Sequence, residues 1–302
     1  MKLTDILEGI YCAKTRESNL IYLERYVNDA KGDFSNHSDV DIRYSPETGL
    51  ACFDVAYRLI NTSSVHILRA NPSSELEEEV ITKDGQVKFI WHPDMETSFN
   101  GASDGCYKMS STSSTRTMLT QDLSYNFMVK TDLDKKHFRF RRRLKGSSVK
   151  HSLMINTDIS EAVKNAMVPF YGYLPESLGF VYGDEVSGSG VLFREIIPYP
   201  LVEESRQLIP YFSLYSRDSF SDNDKPLLIQ LIERNSHSDP LGFFADVIVG
   251  FVQDTWMYLV HERGILPELH GQNALLEIDT NGIPKRLIHR DFQSIYSDGC
   301  IR

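Results

Sequence analysis

Glu268, His270, Gln272 and Asn273 fall within six residues of the segment PELHGQN, directly before an apolar run at 274–276. Four polar side chains at the mouth of a hydrophobic strand are costly to place unless something binds them. A second apolar segment follows, and then Arg290–Asp291–Phe292. Asn273 and Asp291, offered from paired strands or loops, supply the hard oxygen donors that Mg²⁺ accepts beside a phosphate. His270 suits a phosphate or a carboxylate. An extended chain puts His270 and Gln272 on one face and Asn273 on the other, unless Gly271 bends it. The plainer reading is a polar turn whose Asn and His bond the backbone. Five polar residues in this arrangement favour a site.

Two further stretches carry chemistry. In STSSTRTM, residues 111–118, Arg116 can grip an anion bidentately, and Ser114 and Thr117 can add hydroxyls. Composition alone favours a solvated Ser/Thr loop there. Residues 135–150 are strongly basic. If extended, they place Arg139, Arg141 and Arg143 on one face and Phe138, Phe140 and Arg142 on the other. Basic and aromatic interleaving can serve RNA, yet a formal net charge of -10 argues against a general nucleic-acid binder. A smaller polyanion such as a nucleoside triphosphate fits better, and an edge strand protected by charge fits equally well. Lys150 lies inside an apolar strand-like pattern, where a lysine points at an anion or snorkels.

These residues need elements to position them. Residues 3–30 read as one or two helices, and 86–91 as a strand. Residues 94–115 read as a long polar loop. Residues 124–130 and 149–156 read as strands, with a short helix at 160–167. Residues 179–197 are strand-like around the turn Ser187–Gly190, and 226–234 read as a helix. Residues 240–263 predict a long apolar helix stopped by Gly264, with Phe244, Val247, Ile248, Phe251 and Val252 buried. Strands at 273–278 and 285–288 flank a turn at Thr280–Asn281–Gly282. Glu75–Glu79 read as a solvated helix face. The fold class is therefore α+β, with mixed, largely antiparallel sheets and a long central helix.

The 302 residues suffice for one large domain or two ordinary ones. Four dispersed cysteines, Cys12, Cys52, Cys106 and Cys300, suit neither a zinc site nor a disulfide framework. The N-terminus has acids where a signal peptide needs an apolar core. The run at 241–252 is too short to span a bilayer. A cytoplasmic protein without a membrane partner is expected.

The segment GILPELHGQNALLEID with its trailing GIPKRLIHRDF resembles the IucA/IucC family, siderophore synthetases that work without a peptide-synthetase assembly line. SSTRT is similar to that family's Ser-x-Arg-Thr loop, VKHSLMINTDIS to its lysine-bearing strand, and GVLFREIIP to its Arg–Glu strand. LIPYFSLYSRD is similar to the segment before its long helix. The resemblance covers residues 108–292. It implies a siderophore-synthetase-like fold with a kinase-like palm region. It also implies a mixed N-terminal region at 1–107 and a nucleotide- and carboxylate-binding domain at 108–302.

The activity implied is adenylation of a carboxylate such as citrate with ATP and Mg²⁺, then acyl transfer to an amine or hydroxyl. On that resemblance Arg116, Lys150 and His270 serve the reacting groups, and Ser114, Thr117, Gln272 and Asn273 position the nucleotide. Asp291 and Glu268 hold Mg²⁺. Lys130 rivals Lys150 as the phosphate lysine. The family's doubled His–Pro motif is reduced to His92–Pro93. Family members continue past RDF, so a second chain supplying that region is an expected partner, as is a second copy in a homodimer. A phosphotransferase of the aminoglycoside-kinase type is the alternative, although its Asp two residues after the His is Gln272 here. A non-catalytic half of a split synthetase is another.

Overall fold

A computed structural model describes residues 6–12, 15–29, 39–98, 102–137, 140–164, 168–204, 206–220, 225–236 and 238–298. Phe138 and Arg139 of the basic stretch lie outside the described residues. The chain forms two compact units: one comprises Ala30–Asn156 and Pro175–Ile196, the other Met1–Asp29, Thr157–Leu174 and Ile197–Arg302. The boundary expected at 107/108 falls within a strand, Gly105–Ser111.

The first unit is built on one eight-stranded antiparallel sheet. Its order is Val65–Arg69, Glu176–Tyr182, Ser189–Glu195, Phe127–Thr131, Thr117–Thr120, Gly105–Ser111, Phe53–Asn61 and Gln86–Ile90. Alternating apolar side chains form its core, including Phe89, Phe127, Phe180 and Phe193. Phe193 packs edge-on to Phe180 and Phe127 at 5.0 and 5.7 Å, the geometry that ring quadrupoles favour. The helix Ser74–Val80 buries Leu76 and Val80 and turns Glu75 and Glu78 to solvent, as its pattern predicts.

Two expectations fail in this unit. The loop expected at 94–115 contains the strand Gly105–Ser111, whose polar outer residues conceal its alternation. The strand expected at 149–156 belongs to a helix, Gly146–Lys164. The exposed positions, Lys150, Met154, Glu161 and Lys164, recur at helical spacing. Val149 settles the choice. Its methyl groups would lie 2.3 Å from a Cβ at Gly179 and 2.6 Å from one at Gly190, so two glycines in neighbouring strands let the helix seat on the sheet.

In the second unit, a four-stranded sheet has the order Gln207–Pro210, Ala274–Ile278, Pro284–His289, Tyr171–Tyr173. Its first three strands pair antiparallel and the last pair is parallel. The turn of the 274–289 hairpin is held by Asp279, whose Oδ1 accepts from the amides of Asn281 and Ile283 at 2.8 and 2.9 Å. The helix Arg16–Tyr26, capped by Thr15, contributes Leu20 and Leu23 to the buried interior, and Leu23 packs with Ile209, Leu276 and Ile278.

The long helix runs Pro240–Glu262, starting at the Asp239 cap. Its expected burial is largely absent. Ile248 is 5% exposed, but Phe244 is 38% exposed, and Val247, Phe251 and Val252 are only partly covered. The segments Phe244–Val249 and Tyr258–Glu262 are π-helical. A wider π turn rotates the apolar stripe away from the register that 3.6 residues per turn predicts. At 23 residues the helix is long and apolar enough to cross a bilayer, unlike the shorter run read from the sequence. It carries Asp246, Asp254 and Glu262, all exposed, and acids at such positions are unfavourable in lipid.

Candidate active site

The predicted residues sort into two groups, one in each unit. In the sheet unit, residues 112–116 form a tight turn between the strands ending at Ser111 and starting at Thr117. Thr112 closes it, accepting from the Thr115 amide at 3.1 Å and donating through its hydroxyl to the Thr117 carbonyl at 2.8 Å. Thr115 is left-handed, with φ 58°, a conformation that costs a β-branched residue energy and needs surrounding support. Ser114 and Thr117 bring their hydroxyls within 3.3 Å of each other. The segment expected on composition to be a solvated Ser/Thr loop is an ordered, largely buried turn.

Arg116 is 7% exposed. Its Nη1 donates to the carbonyls of Arg142 and Arg143 at 2.9 and 3.1 Å, which ties the turn to the basic segment. Thr117 stands opposite Lys130 in the antiparallel register, and Lys130 is 2% exposed on a central strand. Lys150 contrasts with it. Its side chain is 68% exposed on the helix, paired with Glu185 at 3.2 Å.

His92 belongs to the same neighbourhood. It is fully buried, edge-on to Tyr44 at 5.5 Å, and its Nδ1 accepts from the Asp94 amide at 3.2 Å. The backbone of Thr115 faces the ring without making a hydrogen bond of normal geometry. Burial pushes the imidazole pKa down to about 4, so it is neutral at physiological pH.

The Arg–Glu strand is committed internally. Arg194 pairs with buried Glu176, and Glu195 accepts from Ser177 and Tyr125 at 2.6 and 2.5 Å.

In the second unit, His270 to Asn273 form a turn, not the alternating strand considered from sequence. The amides of Asn273 and Ala274 both donate to the His270 carbonyl, at 2.8 and 3.1 Å. His270 is exposed, and its Nδ1 accepts from the Gln272 amide at 3.2 Å. Asn273 donates its side-chain amide to Glu268 at 2.8 Å, and Ser294 donates its hydroxyl to the same carboxylate oxygen. Asp291 is partly exposed and left-handed, φ 67°. Glu268, Asn273 and Ser294 are thus directly linked, with Asp291 three residues before Ser294.

Ser294 escaped the sequence reading, because a serine after RDF carries no signal of its own. So did Glu24, a buried acid in the N-terminal helix that pairs with Arg290. Among the described residues no three His, Cys, Asp or Glu side chains gather as a metal cluster. Glu268 and Asp291 carry the oxygen donor type that Mg²⁺ prefers, and Glu268 is bonded to Asn273.

No family model matches the sequence, and no curated protein matches it either. Solved structures do. The petrobactin biosynthesis protein AsbB from Bacillus anthracis matches at TM-score 0.71 and 16% identity, over 94% of this chain and 53% of that one. Aerobactin synthetase IucC from Klebsiella pneumoniae matches at TM-score 0.70 and 16% identity, over 97% and 60%. ATP-bound aerobactin synthetase IucA from Klebsiella pneumoniae matches at 0.70 and 15%, over 98% and 58%. The chain spans between half and two thirds of the length of these structures. Its antiparallel sheet unit and its second, mixed unit together have the fold of the siderophore synthetases that AsbB, IucC and IucA represent.

Proposed function

We propose that the protein is an ATP-dependent synthetase that adenylates a carboxylate such as citrate and joins it to an amine or hydroxyl. The observation that carries the reading is the fold shared with ATP-bound IucA over 98% of this chain. An oxygen of the carboxylate attacks the α-phosphorus of ATP, and pyrophosphate leaves. The amine or hydroxyl then attacks the acyl carbon, loses its proton, and AMP leaves.

Little acid–base chemistry is needed, because adenylation is mainly orientation and charge stabilisation. Arg116 and a lysine neutralise the growing negative charge. Lys130, buried and opposite Thr117, suits that role better than exposed Lys150. Ser114 and Thr117 bond phosphate or carboxylate oxygens. His270 grips the acid or the α-phosphate, and Gln272 and Asn273 orient the nucleotide. Asp291 and Glu268 would hold Mg²⁺, which when bound neutralises phosphate oxygens.

The reading requires that water be kept from the adenylate. It places the protein in the cytoplasm, where ATP is available. The test is pyrophosphate release with MgATP, citrate and a panel of amines. Citrate-dependent pyrophosphate supports the reading; ADP in its place supports a phosphotransferase and overturns it.

A further inference from the structure

Arg290 makes three contacts that together hold one turn. Its amide donates to the Asn273 carbonyl at 2.9 Å, and its Nε donates to the Gln272 carbonyl at 2.8 Å. Its guanidinium also forms an ion pair with Glu24 of the helix Arg16–Tyr26. Both partners are deeply buried, Arg290 at 4% and Glu24 at 0% exposure. Adjacent carbonyls of the candidate nucleotide-binding turn are therefore held by one residue, which an acid from the N-terminal helix orients.

We propose that Glu24 and Arg290 are positioning residues that fix the Gln272–Asn273 turn for its ligand, making the N-terminal helix part of the site's support. The inference rests on the reading of that turn as a nucleotide site. A buried ion pair is weak evidence for stability by itself, because desolvation offsets most of the attraction. A guanidinium is suited to geometry: its planar fork bonds in fixed directions, which an ammonium does not reproduce. Here the fork spans a carboxylate on one side and a backbone carbonyl on the other. The next residue, Asp291, leaves in the left-handed region, so the anchored Arg290 also sets the start of the bend that carries Asp291.

The test compares wild type with Glu24→Gln and with the apolar pair Glu24→Leu/Arg290→Met in the full chain. Amide exchange at Asn273 and Ala274 is read against exchange in the strand Gln207–Pro210, and MgATP affinity is read by calorimetry. Exchange at the turn is expected to rise at least tenfold while the strand amides keep wild-type protection, with MgATP affinity falling about tenfold. Wild-type protection at the turn in a folded variant overturns the proposal. So does loss of protection everywhere at once in both variants, which makes the pair a support of the whole unit. If wild type binds no MgATP, the nucleotide reading falls, and the exchange comparison still decides whether the pair positions the turn.

Discussion

The side-chain amide of Asn273 donates to Glu268 at 2.8 Å, so a residue expected to orient nucleotide and one expected to hold Mg²⁺ are already joined. That bond uses one N–H of the side-chain amide and leaves the amide oxygen as an acceptor. Asn273→Asp replaces the donor with a second anion beside Glu268. MgATP affinity is predicted to fall at least tenfold at low Mg²⁺, and calorimetry over a Mg²⁺ series will show partial recovery as the ion offsets the added charge.

Arg116 holds two backbone carbonyls of the basic segment besides any anion it binds. Arg116→Ala removes charged hydrogen bonds in a buried setting, so it should lower stability by about 1.5–3 kcal/mol. Urea unfolding will measure this. MgATP affinity, measured where the variant remains folded, should fall as well; an unchanged affinity would leave Arg116 a purely structural residue.

The two candidate lysines separate cleanly. Lys150–Glu185 is an exposed pair, and Lys150→Ala should change stability by less than about 1 kcal/mol and leave nucleotide affinity alone. Lys130→Met keeps the length of a buried side chain and removes its charge. It should reduce MgATP affinity severely while the far-ultraviolet spectrum stays that of the native fold.

His92 makes stability depend on pH. Its folded pKa, about 4, lies below the ordinary 6.5 of an unfolded histidine. Between those values the unfolded chain binds the extra proton, so stability rises with pH across that window and is lost as pH falls through it. The contribution is on the order of 3 kcal/mol at most. His289, likewise buried with a pKa of about 4, adds a similar slope. His92→Asn can keep an acceptor for the Asp94 amide but cannot titrate. Urea midpoints at pH 4.5 and 7 should lie closer together in this variant than in wild type.

Much of this architecture was legible in the sequence. The hairpin at 274–289, the helix Leu227–Asn235 and the acidic helix Ser74–Val80 follow from turn residues and periodicity that act locally. The segment 149–156 reads as a strand because its apolar run Leu153–Ile155 is short; Gly179 and Gly190, which let it seat as a helix, are distant in sequence. The long helix was found, but its π turns, which shift the buried face, have no clear local signature. At the site, the order within HGQN is visible, whereas its supports are not. Glu24 looks like any acid of an N-terminal helix until Arg290 is brought against it.

The most direct measurement follows an oxygen atom. Citrate labelled with ¹⁸O in its carboxylates is incubated with MgATP, an accepting amine and the protein, together with any partner chain required for turnover. Adenylation followed by acyl transfer leaves one carboxylate oxygen bridging to phosphorus, so the account predicts ¹⁸O in AMP and unlabelled pyrophosphate. Label in inorganic phosphate with ADP as the nucleotide product, or AMP without label, would contradict it.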